Sequence, residues 1–176
     1  MTYNSLMDVR IRVKPLELDT KPYGFFMFSM DYLKAARAAA AIEYENRTNF
    51  PAYFLYCRSL ELAIKSILLQ GKRYSLKDVK DVGHNLETGI EKLTQENLLH
   101  VPIKFTNKDS RIIADLNKWY KTDQKKFEYY GVLTGIEAFK KKLIEKGEYP
   151  DLPNLRDLDD LLNKFVNPKV EKYVLQ

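Results

Sequence analysis

The chain of 176 residues holds a single cysteine, Cys57, and only two histidines, His84 and His100. One cysteine cannot close an intramolecular disulfide, and no Cys/His cluster has the spacing of metal ligands. No metal and no cofactor is therefore expected. Long apolar runs are missing as well. The first apolar cluster, Phe25 to Phe28, is far too short for a signal peptide, and nothing approaches the roughly 18 residues that span a bilayer. A cytoplasmic protein is expected. There is no Walker phosphate loop, no G-x-G-x-x-G, no G-x-S-x-G elbow and no H-E-x-x-H, so the common nucleotide, hydrolase and metalloprotease signatures are excluded. No internal repeat, low-complexity run or linker divides the chain, which reads as one domain over residues 1–176.

What is present is ordinary for a globular protein: 45% hydrophobic and 30% charged residues, enough to bury a core. The net charge of +5 and pI near 9.1 permit contact with nucleic acid or an anionic ligand without requiring it. Residues 1–28 read as an extended segment, because Pro15, Pro22 and Gly24 oppose a long helix. Within it Asp8 to Val13 alternates apolar and charged residues like a short half-buried strand.

From residue 29 the pattern turns helical. Ser29 is the expected N-cap of a first helix that runs through the alanines of 35–41 to about Tyr44, with Asp31 in its first turn. Asn49 is the expected N-cap of a second helix over 51–70, with Pro51 tolerated in its first turn. At 100° per residue, Tyr53, Cys57, Leu60, Ile64, Ile67 and Leu68 form one broad stripe of this helix. On its far side Leu55, Ser59, Leu62, Ser66 and Leu69 form a second, heptad-like seam. A helix apolar on both sides is either the centre of a bundle or the interface of a homodimer.

Lys72 to Val82 reads as a polar connection. A third helix is expected from Asn85 with Leu86, Ile90, Leu93 and Leu98 inward, and a fourth from Thr106 or Asn107 with Ile112, Ile113, Leu116, Trp119 and Tyr120 at helical spacing. Residues 29–124 form the helical core, and 125–176 a C-terminal extension. In that extension Lys126 to Tyr130 favours a strand that could pair with the N-terminal one. A weaker helix follows over 136–146, and a last one is capped by Asp151 with Pro153 near its start. The fold class is an all-α antiparallel bundle of five or six helices, with at most a two-stranded ribbon.

Chemistry has few candidates. Glu61 borders the main stripe of the second helix, with Arg58 three residues before it and Lys65 four after. As an exposed pair, Glu61 and Lys65 would contribute only about 0.2–0.5 kcal/mol; facing a groove, the cations could hold a phosphate. Gly83-His84-Asn85-Leu86 heads the third helix. There Asn85 or His84 could cap it, and a neutral histidine could serve as base or bind a nucleotide edge. His100 has no identifiable partner. Cys57 lies in the apolar stripe and reads as a small buried residue rather than a nucleophile. Lys118, Lys121, Lys125, Lys126 and Lys140 to Lys142 could form a basic surface, with Trp119, Tyr120, Tyr129 and Tyr130 as stacking faces. Such aromatics are more often core.

The run Tyr53-Phe54-Leu55-Tyr56-Cys57-Arg58-Ser59-Leu60-Glu61-Leu62-Ala63-Ile64-Lys65, a leucine-rich end, a polar connection and then Gly83-His84-Asn85-Leu86 together resemble HEPN domains of bacteria and archaea. The resemblance spans roughly residues 30–98. It implies an antiparallel helical bundle, often a homodimer. It also implies either a metal-independent RNase of toxin–antitoxin and phage-defence systems or a noncatalytic relative that binds RNA or nucleotides. The RNase members carry an Arg, four to six residues, then His. Here the matching positions are Lys77, Asp78 and Val79 before His84, and Leu93, Thr94 and Gln95 before His100; none is Arg. Lys77 is the nearest substitute, and an ammonium lacks the planar fork that grips a scissile phosphate.

The expected function is a noncatalytic module that binds RNA, a nucleotide or a protein partner such as an antitoxin or nucleotidyltransferase. Arg58, Glu61, Lys65 and His84 line its polar groove: the two cations hold an anion, Glu61 orients them, and His84 makes one hydrogen bond. The alternatives are a divergent endoribonuclease with His84 catalytic, and a structural homodimer built on the Leu55/Leu62/Leu69 seam.

Overall fold

A computed structural model describes residues 21–42, 49–71, 73–95, 103, 105–121 and 152–176. Seven helices lie among them: α1 (Pro22–Ala40), α2 (Phe50–Gln70), α3 (Leu76–Asp81), α4 (Leu86–Gln95), α5 (Asn107–Tyr120), α6 (Leu155–Phe165) and α7 (Pro168–Val174). The protein is an all-α bundle, and no strand occurs among the described residues. The strands expected over 8–13 and 126–130 and the helix expected over 136–146 lie outside the described residues.

α2 is the axis of the bundle. It touches each of the other six helices, and from Ser59 to Leu68 every one of its residues is buried. A helix that is apolar on two sides has little face to give to water, and here neighbours bury its central turns. Its start is fixed as the sequence suggests. The Asn49 side chain accepts from the Ala52 amide at 3.1 Å, and its own amide donates to the Ala39 carbonyl at 2.7 Å, so one residue caps α2 and closes α1.

The far seam of α2 is met from within the chain. Ser59 and Ser29 exchange hydrogen bonds with each other's backbone carbonyls at 2.8 and 2.9 Å, and the Ser66 hydroxyl donates to the Pro22 carbonyl at 2.7 Å. Small hydroxylated residues let α1 and α2 approach closely while their polar atoms stay satisfied. Leu62 is buried, and Leu55 and Leu69 are half-buried against the core.

Three expected boundaries are corrected. α1 begins at Pro22, so residues 22–28 belong to the bundle and not to an extended segment. Proline at the first helical turn lacks only an amide that has no helical partner anyway, and Ser29 sits buried inside the helix instead of capping it. The helix ends at Ala40 rather than near Tyr44. In the C-terminal part Asn154, not Asp151, caps α6, its side chain accepting from Arg156 N at 2.8 Å. Pro153 stands just outside that helix, its carbonyl accepting from the Tyr53 hydroxyl at 2.7 Å. Two short helices were not expected. α3 interrupts the polar connection through a Ser75/Asp78 capping box, and α7 starts at Pro168 after an Asn167 cap. α6 and α7 both pack on α1 and α2, so the C-terminal residues complete the bundle.

Two glycines set how α4 meets α2. Gly83 has φ 58°, the left-handed region that side chains disfavour, and it turns the chain from α3 into α4. Gly89 lies where α4 crosses α2. A Cβ there would stand 2.8 Å from Cγ2 of Ile64, a branched and buried side chain with little room to yield.

Candidate functional site: a buried carboxylate with four donors

The charged positions of α2 are fixed by helical spacing. Arg58, Glu61 and Lys65 follow one another at three and four residues and so share a flank. Glu61 is only 3% exposed, which makes this an internal ion cluster and not a surface pair. Its Oε1 accepts from Lys65 Nζ at 2.6 Å, and Arg58 Nη1 reaches both carboxylate oxygens at 2.9 and 3.0 Å. Oε2 accepts in addition from His84 Nδ1 at 2.8 Å and from the Tyr120 hydroxyl. All four residues singled out from the sequence therefore meet at one carboxylate, joined by Tyr120 from α5.

His84 arrives through local geometry. The Gly83 turn aims it back at α2, and Asn85 then caps α4 by accepting from the Thr88 amide at 3.1 Å. Asn117 of α5, itself buried, holds this turn in place. Its Oδ1 accepts from the Leu86 amide at 2.9 Å, and its Nδ2 donates to Asn85 at 3.0 Å and Glu87 at 2.6 Å. One turn further along α5, Tyr120 sets its ring edge-to-face on His84 with centroids 5.4 Å apart. α5 thus positions both the imidazole and its carboxylate partner.

The electrostatics follow from burial. Desolvation alone would raise the Glu61 carboxyl. The His84 hydrogen bond and the Lys65 and Arg58 cations outweigh it and hold the group down at about 2. An ionised carboxylate only accepts, so the His84 Nδ1 must carry the proton, and in the neutral ring the lone pair is on Nε2. Burial and the Glu61 charge push the Tyr120 phenol and the Cys57 thiol far up, so both stay protonated. Cys57 is fully buried, as its place in the apolar stripe implied.

Two cations against one carboxylate leave the cluster with an excess positive charge. The cations are not equally reachable. The Lys65 side chain is 11% exposed and serves as an internal counter-ion, whereas that of Arg58 is 30% exposed, close to the 29% of His84. Arg58 is steadied from the other side by the Tyr32 ring of α1, 5.9 Å from its guanidinium carbon. The arrangement can present a planar cation and an imidazole side by side at a rim, both fixed by a carboxylate beneath them.

Other expected features fall elsewhere. Trp119 and Tyr120 are buried, Trp119 against Phe50, so they are core and not stacking faces. Lys77 is exposed on α3. His100, Tyr129, Tyr130, Lys125, Lys126 and Lys140 to Lys142 lie outside the described residues. Among the described residues no group of His, Cys, Asp or Glu is arranged to hold a metal ion, and no helix is long and apolar enough to cross a membrane. Comparison with models of protein families, with curated proteins and with solved structures returns no match.

Proposed function

We propose that this chain is a noncatalytic, HEPN-like module of the cytoplasm that binds RNA, or a nucleotide, through its phosphates. A defence or toxin–antitoxin setting is part of the same reading. The observation that carries it is the pairing of Arg58 and His84 at a partly exposed rim of positive charge, both oriented by buried Glu61. A guanidinium fixed in this way loses little freedom on meeting a phosphate, and its fork matches phosphate oxygens. The resemblance of residues 30–98 to HEPN domains supports the same reading. A homodimer, which the resemblance implies, is part of the same reading; the packing of α1 on the Ser59–Ser66 line favours a different surface for it.

The test is fluorescence anisotropy with a labelled single-stranded RNA across a series of salt concentrations. Wild type is expected to bind, and Arg58→Ala to bind more weakly with a salt slope shallower by about 0.7, the value for one lost contact to a single strand. An unchanged affinity and slope in Arg58→Ala would remove the proposal.

One observation favours a second reading, a divergent metal-independent RNase. Glu61 fixes the tautomer of His84 so that the basic nitrogen is Nε2, as a general base requires. Incubating the protein with RNA and a chelator, beside His84→Ala, separates the two. Cleavage that vanishes with the histidine favours the RNase, and equal behaviour of both proteins eliminates it.

A further inference from the structure

α1 carries a row of aromatic residues that the core does not use up and of which the charged cluster engages only Tyr32. Its core line is Phe26, Ser29, Leu33 and Ala36, all buried. Beside that line Phe25, Phe28 and Tyr32 follow at spacings of three and four, which places them on one stripe. Phe28 is 42% exposed, and Phe25 and Tyr32 are half-buried. A large apolar ring left in water at this level, with aromatic neighbours on both sides, is the kind of exposure that invites explanation.

The register of the two helices says what lies next to this stripe. Ser29 meets Ser59 and Pro22 meets Ser66, so seven residues up α1 correspond to seven residues down α2 and the helices are antiparallel. The Tyr32 ring against Arg58 continues that register and fixes the side of α2 along which the stripe runs. Phe28 then lies level with the turn of α2 that carries Glu61, and Phe25 with the turn that carries Lys65. The aromatic row and the row of Arg58, Glu61 and Lys65 run side by side, one turn of α1 for each turn of α2.

From this we infer that the α1 stripe is a base-stacking rail, with Phe28 its accessible face, for single-stranded RNA whose phosphates lie on the Arg58 rim. The inference rests on the RNA-binding reading above and adds to it the part of the ligand that the cations do not recognise. A positive groove that follows the backbone, lined with rings that accept any base, is how single strands are held without sequence preference. The excess cation beside the rail distinguishes it from a purely apolar docking face: a negatively charged, ring-bearing chain complements both rows at once.

The experiment compares a labelled 12-residue oligouridylate with an abasic ribose-phosphate strand of the same length, each titrated with wild type, Phe28→Ala, Phe28→Trp and Arg58→Ala. Phe28 is exposed, so its variants are expected to fold; thermal melts check this. Phe28→Ala is expected to weaken oligouridylate binding by about tenfold, within the range for one lost stacking partner, and to leave the abasic strand unchanged. Phe28→Trp should restore binding of the oligouridylate. Arg58→Ala should weaken both strands alike. If wild type binds neither strand, the RNA-binding reading itself falls and the rail with it. If wild type binds both strands and Phe28→Ala binds the oligouridylate as tightly as wild type does, the rail alone is overturned and the phosphate site stands. Equal losses on the two strands in a folded Phe28→Ala protein also overturn it.

Discussion

Glu61 on α2 and Asp159 on α6 are dressed with similar partners and set in opposite surroundings. Each accepts from an arginine and a tyrosine: Arg58 and Tyr120 for Glu61, Arg37 and Tyr56 for Asp159. Asn163 completes the second group, donating to Asp159 at 3.3 Å and accepting from Arg37 at 2.7 Å. The side chain of Asp159 is 29% exposed and that of its arginine 46%, against 3% for Glu61. Water can take over any partner that Asp159 loses. Water has little access to the Glu61 carboxylate itself, and the buried Lys65 and Tyr120 left water on the condition that the carboxylate be there. Like chemistry therefore makes a clamp between α1 and α6 in one place and an interior hub in the other.

The comparison breaks most visibly if the hub is cut. Glu61→Gln leaves buried Lys65 and half-buried Arg58 without their counter-charge, and a loss of about 3–5 kcal/mol in urea unfolding is expected. A loss no larger than that of Asp159→Asn would mean that burial does not separate the two sites. Acid sharpens the same contrast. The Glu61 carboxyl is held at about 2 in the folded chain, below the value of about 4.3 of an unfolded one. Between those values the unfolded chain binds more protons, so the stabilisation is complete above about pH 4.3 and is lost as pH falls toward 2. The loss amounts to about 3 kcal/mol. Unfolding free energies at pH 5, 3.5 and 2.5 should show wild type and Glu61→Gln converging as the solution is acidified. A gap that stays constant across that range would assign the stabilisation to something other than the charge of Glu61.

The hub was only partly legible in the sequence, and the division follows the range of the contacts. Arg58, Glu61 and Lys65 are set by helical spacing alone, and the G-H-N-L turn marks where an imidazole enters. The depth of Glu61 was harder to see, because an i,i+4 ion pair is usually a surface pair. The signal was the apolar seam on the other side of α2, which leaves that helix little solvent face. Tyr120 and Asn117 carry no local mark. The Tyr120 hydroxyl meets a partner 59 residues away, and as an aromatic at helical spacing it looks like any core residue. Asn117 bonds to a helix start about thirty residues earlier in the chain. The fold class and α2, α4 and α5 followed from apolar periodicity and caps. α1 was misplaced because Pro22 and Gly24 look like breakers and Ser29 like a cap. Phe26, Ser29, Leu33 and Ala36 continue the helical period past both signals, and burial against α2 decides in favour of the period.

The smallest expected effect lies at the clamp, and it isolates the role of water. The Asp159 carboxyl is held below the usual carboxylate range by the Arg37 hydrogen bond, but both partners reach solvent. Replacing Asp159 with asparagine removes the charge and keeps a hydrogen-bonding oxygen, so the loss should stay under about 1 kcal/mol. At 1 M salt, where the screening length shrinks to about 3 Å, the contribution of this pair should fade further, while that of the hub should hardly move. Urea unfolding of wild type, Asp159→Asn and Glu61→Gln at low and high salt reads both effects in one series. If salt erases the Glu61→Gln difference and leaves that of Asp159→Asn intact, the assignment of interior and surface is reversed. The same series bears on function. A hub insensitive to salt keeps Arg58 and His84 oriented at any ionic strength, so a salt dependence of the proposed RNA binding would report on the contact with phosphate and not on the integrity of the site.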